Sequence, residues 1–89
     1  MKSKIQETSS GEMIHVLPIG TRVRHKKHPE LTGYIKQHEY HESGKISPIP
    51  YNVNWDNNAL ASRLLGWFFI YSTNEALELE EQDERRVRV

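Results

Sequence analysis

The chain contains no cysteine. Disulfide staples and thiolate-held metals are therefore excluded, and a reducing compartment is the expectation. Long apolar runs are missing too. No stretch approaches the roughly 18 residues of a membrane span, and MKSKIQETSSGEM holds no apolar segment of the length a secretory signal needs. The expectation is a cytoplasmic protein without a membrane span. There is also no Gly-rich phosphate loop, no GxSxG elbow and no HExxH pair. The reading is of a protein that is not an enzyme and uses no cofactor.

An excess of charge is lacking as well, since 12 Lys and Arg face 12 Asp and Glu. The distribution is nevertheless uneven. Residues 1–50 carry eight basic against five acidic side chains, and residues 51–89 carry four against seven. Phosphate neutralisation dominates nucleic-acid affinity, so a dipolar chain suits that role only through one basic face.

What is present is enough for one small domain. A chain of 89 residues buries only about 60% of its unfolded surface, so the core is limited. Two Trp, two Phe and four Tyr supply bulky anchors within a hydrophobic fraction of 36%. Residues 1–13 are polar without apolar periodicity and read as a flexible tail, and residues 81–89 read as a charged tail. The folded domain is expected over residues 14–80.

Inside that window the apolar period is two, the period of strands. GTRVRH reads as a first strand, Pro29 to Gly33 as a turn, and Tyr34 to Tyr40 as a second strand with Tyr34, Lys36, His38 and Tyr40 on one face. HESGKISPIP reads as a loop, because its prolines deny a central strand its amide donors. In YNVNW, Tyr51, Val53 and Trp55 alternate with asparagines. NNALASRLLG predicts a short helical turn, with an asparagine cap, Leu60 and Leu64 on one face, and Gly66 at its end. WFFIY is apolar throughout and predicts a buried strand. STNEALEL predicts a turn followed by a last strand that directs Leu77 and Leu79 inward.

Five short strands in so little chain suit a mainly β fold, a small barrel with one short helical turn. The residues IGTRVRH, GYI, YNVNWD and ALEL together resemble the SH3-like small barrels, the group that includes KOW, Tudor and photosystem PsaE-type modules. The resemblance covers about two-thirds of the chain. It implies a five-stranded barrel, with nucleic-acid binding in KOW-type members and aromatic cages for methylated cations in Tudor-type ones. HEYHE in the second strand and the long insertion NNALASRLLGWFFIY depart from that pattern.

Four groups of residues carry chemistry. Arg22, Arg24, Lys26, Lys27 and Lys36 are candidates for a basic nucleic-acid face, with Tyr34 and Tyr40 as stacking platforms. His25 with His28, and His38 with His41, are candidate metal ligands, although i, i+3 spacing points to opposite faces of a strand. The aromatic set Tyr34, Tyr51, Trp55, Trp67, Phe68 and Tyr71 divides between core and a cation cage or partner surface. The acid run from Glu75 to Glu84 is six carboxylates without a base, and reads as a solvated segment. From these the leading expectation is a non-catalytic adaptor that docks a protein partner through Tyr34, Tyr40, Tyr51 and Tyr71. The alternatives are a nucleic-acid-binding barrel and, third, a histidine-based metal-binding protein.

Overall fold

A computed structural model describes residues 4–80. The chain is mainly β, with strands β1 (Lys4–Glu7), β2 (Met13–Val16), β3 (Arg22–His25), β4 (Thr32–Tyr40) and β5 (Ile46–Trp55). Helix α1 (Asn58–Leu65) follows, then β6 (Tyr71–Ser72), a 3-10 turn (Asn74–Ala76) and β7 (Leu77–Leu79). Five strands form one antiparallel sheet in the order β6-β5-β4-β3-β7, which curls into a half-barrel, and β1 and β2 pair as a separate hairpin. The last strand thus lies beside the first of the five.

The hairpin is the first departure from the sequence reading, which has a flexible tail up to residue 13. Thr8 explains it. Its hydroxyl accepts the Glu12 amide at 3.1 Å and lies 2.9 Å from the Ser10 hydroxyl, and Gly11 supplies the positive φ of 93° that closes the turn. The Ser9 amide then donates to Ile46 O at 2.9 Å, fastening the hairpin tip to the start of β5. Residues 81–89, read as a charged tail, lie outside the described residues.

The core gathers the alternate residues that period two selects: Val23, Ile35, Tyr51, Val53 and Trp55 are all buried, joined by Val16, Leu31, Ile46, Ala61 and Leu77. Gly33 is not a turn glycine with positive φ. It sits inside β4 opposite Trp55, where an added Cβ would come within 2.5 Å of Asn54 O and 2.9 Å of Trp55 Cα. Only glycine fits so close a strand approach.

Two irregularities in the β4–β5 ladder correct the expected faces. Between Ile35 and Gln37, β4 carries an extra residue relative to β5, so His38 pairs with Tyr51 rather than continuing the Tyr34 face. A bulge of this kind reverses which face the later residues take. Tyr34 and Tyr40 therefore do not share a face. Beyond His38 the register jumps from Tyr51 to Ile46, leaving Ser47, Pro48, Ile49 and Pro50 unpaired in the ladder. The prolines expected in a loop thus belong to a strand, at the one place where their missing donors cost nothing.

Helix α1 forms as its caps dictate: the Asn57 side chain accepts the Leu60 amide at 3.0 Å, and Gly66 ends it at φ 83°. WFFIY, in contrast, is not a buried strand. Residues 67–70 are a turn, Trp67 is 88% exposed and Phe68 68%, and only Tyr71 and Ser72 pair. Leu79 also faces outward, at 38% exposure, rather than into the core.

Candidate functional site

Four exposed aromatics, Tyr40, Trp67, Phe68 and Tyr71, come together on one rim of the half-barrel. Trp67 and Phe68 meet edge to face with centroids 5.8 Å apart, and Phe68 lies 6.5 Å from Tyr71. Phe68 and Tyr71 then form a groove of about 400 Å³ with Tyr40, Pro48, Ile49 and Glu39. The bulged segment of β5 makes one wall and the turn after α1 the other. Ile49 is 50% exposed and Tyr40 57%. Together these side chains leave a contiguous apolar patch open on a small domain.

The core fixes this surface. Trp55 Nε1 donates to Phe69 O at 2.6 Å, tying the buried indole to the turn that carries Trp67 and Phe68. On the other wall, Glu39 Oε2 accepts from Gln37 Nε2 at 3.1 Å and Asn52 Nδ2 at 3.2 Å. Its Oε1 takes no hydrogen bond and no cation among the described residues.

Of the four tyrosines expected to dock a partner, only Tyr40 and Tyr71 share this groove. Tyr51 is fully buried. Its hydroxyl accepts the Leu17 amide at 2.9 Å and donates to Asn74 Oδ1, and burial pushes its pKa up. It is a core clamp rather than a docking residue. Tyr34 stands elsewhere on the sheet, 37% exposed, with its hydroxyl accepting from Asn54 Nδ2 at 2.8 Å.

The expected basic face is divided. Arg22 grips both carboxylate oxygens of Asp56, at 3.0 and 2.7 Å, and reaches Glu80 at 2.8 Å through Nε. Thr32 adds a third bond to Asp56 at 2.7 Å, and the guanidinium together with this hydroxyl holds the Asp56 carboxyl below its ordinary range. Arg24 pairs with Glu78 at 3.1 Å. Both arginines are thus neutralised, and Glu78 and Glu80, two of the six carboxylates of the acid run, are engaged. Lys26, Lys27 and Lys36 are exposed and make no ion pair among the described residues.

The histidines are also scattered. His25 and His28 lie with ring centroids 5.2 Å apart and planes tilted by 46°, but His25 is buried beside Trp55 and its Nδ1 accepts the Lys27 amide at 3.1 Å. Burial, then the neighbouring His28 and Lys27, lowers its pKa. His38 Nε2 lies 2.7 Å from Leu17 O, and His41 bonds Ser43 within its own turn. Among the described residues no three His, Asp or Glu side chains stand close enough to hold a metal.

Sequence reasoning passed over Pro48, Ile49 and Glu39, and placed Phe68 inside. The signal was available in part: WFFIY follows a helix-ending glycine directly, leaving no room to enter a strand. Compared with known proteins, the chain matches no family model, no curated protein and no solved structure. Among the described residues no helix is long and apolar enough to cross a membrane.

Proposed function

We propose that this protein is a non-catalytic docking module that binds an extended peptide segment of a protein partner in the groove between Tyr40, Ile49, Phe68 and Tyr71. The exposure of Phe68 beside Tyr71 and Tyr40 carries the reading. Aromatic rings give large contact area at small entropic cost and dominate binding hot spots. The open, shallow shape suits a strand-like or polyproline chain better than an enclosed small molecule, for which burial on most sides is the rule. The strand order, with first and last of the five adjacent, supports placement among the SH3-like barrels. Binding in such a module is the sum of surface contacts and asks for no titrating or nucleophilic group.

The test is selection from a random peptide library displayed on phage against the immobilised protein. Enrichment on the wild type and its loss on a Phe68→Ser, Tyr71→Ser double variant is the expected result. Equal enrichment on both would remove the groove from the account.

A further inference from the structure

A second groove adjoins the first. Also of about 400 Å³, it lies between the N-terminal hairpin and β4 and is lined by Lys4, Val16, Pro18, Ile19, His38 and Tyr40. Tyr40 is a wall of both grooves. The two thus meet across a single ring, one apolar hollow on each side of it. Ile19 is left 60% exposed in the lining of the second hollow, as Ile49 and Phe68 are exposed in the lining of the first.

The two grooves carry opposite charges, Lys4 in the second and Glu39 in the first. Lys4 makes no ion pair among the described residues, and Glu39 keeps one carboxylate oxygen without a partner. By contrast Glu7 and Lys45, also near the hairpin, neutralise each other at 3.2 Å. Of the charged side chains without an ion pair, Lys4 borders the second groove and Glu39 the first.

Resting on the docking reading above, we infer that both grooves form one track for a single extended peptide of defined charge order. The peptide crosses Tyr40, sets one apolar side chain against Ile19 and Val16 and another against Ile49 and Phe68, and carries an acidic residue toward Lys4 and a basic residue toward Glu39. Alternate side chains of an extended chain point to opposite sides, so residues two apart can occupy hollows on the two sides of one ring while those between them stay in solvent. The bulge in β4 is what makes this possible. By moving His38 and Tyr40 off the Tyr34 face it brings both to the hairpin side of the sheet.

The experiment uses fluorescence anisotropy with a labelled peptide enriched by the wild-type protein from the library. Lys4→Glu and Glu39→Lys should each weaken binding about two- to fivefold, the range of an exposed ion pair, and a peptide with the facing charge reversed should restore the loss. Ile19→Ser should weaken binding as well. If Phe68→Ser abolishes binding while Ile19→Ser and both charge reversals leave it unchanged, the second groove is no part of the track and the inference fails, though the docking reading stands. If Phe68→Ser and Tyr71→Ser also leave binding unchanged, both fail together. Circular dichroism of each variant confirms that the fold is retained before affinities are compared.

Discussion

Trp55 and Phe69 are joined by a single hydrogen bond of 2.6 Å, from an indole in the core to a carbonyl in the turn that carries the exposed Trp67 and Phe68. If the rim is the docking surface as proposed, this bond couples stability to binding. Trp55→Phe keeps most of the buried ring but removes the donor, leaving a half-buried carbonyl without its partner. The expected cost is about 1–3 kcal/mol, read from the urea midpoint. Peptide affinity should fall with it, because Trp67 and Phe68 lose their anchor.

Gly33 predicts an effect of the opposite kind, on stability alone. A methyl group there meets the backbone of Asn54 and Trp55 rather than a movable side chain. Gly33→Ala should destabilise by about 1–3 kcal/mol, as overpacking does, with larger residues worse. Below the unfolding transition the affinity for a selected peptide should be unchanged, since neither groove is lined by these residues. Parallel denaturation and anisotropy curves check both halves.

Tyr51 and Tyr71 are neighbours across one ladder step with contrasting roles. Tyr51→Phe strips the partner from the Leu17 amide and from Asn74, whose Nδ2 also holds His15 O at 2.7 Å, so the hairpin loosens. The expected loss is about 1–3 kcal/mol in thermal or chemical denaturation. Tyr71→Ser should stay within about 0.5 kcal/mol of wild type, as exposed substitutions usually do, and yet weaken peptide binding.

His25 gives the domain a pH dependence of definite sign. Its folded pKa lies below the unfolded value of about 6.5, because the buried ring is costly to charge beside His28 and Lys27. The unfolded chain therefore binds more protons as pH falls below 6.5. Stability should be complete above about pH 6.5 and decline as pH falls from there through the folded pKa. Urea midpoints from pH 7.5 to 5.5 should show that decline, and His25→Asn, which keeps an acceptor for the Lys27 amide but cannot titrate, should flatten it.

The sheet was legible where alternation is clean. YNVNW, RVRH and GYI place Val23, Ile35, Tyr51, Val53 and Trp55 inward as period two requires, and Asn57 and Gly66 bound the helix as their capping chemistry requires. What the sequence concealed were departures from alternation. A bulge at Lys36 leaves no mark in composition, yet it decides that His38 and Tyr40 part from Tyr34. The prolines of SPIP rightly signal missing ladder donors, but a strand can carry them in an unpaired stretch. WFFIY has the composition of a buried strand because the aromatics exposed here are the same residue types that fill cores. Only the position of Gly66 and the shortness of β6 separate the two cases. The basic cluster misled for a further reason: Asp56, Glu78 and Glu80, which neutralise Arg22 and Arg24, lie more than thirty residues away in sequence.

The central claim is that binding takes place at the aromatic rim. Two-dimensional amide NMR of the full chain, titrated with a peptide selected from the library and separately with a short mixed-sequence oligonucleotide at low salt, tests it most directly. The peptide should shift resonances around Tyr40, Ile49, Phe68 and Tyr71, and the oligonucleotide should leave them in place. Shifts confined to Lys26, Lys27 and Lys36 on adding the oligonucleotide, with none at the rim from any peptide, would contradict it.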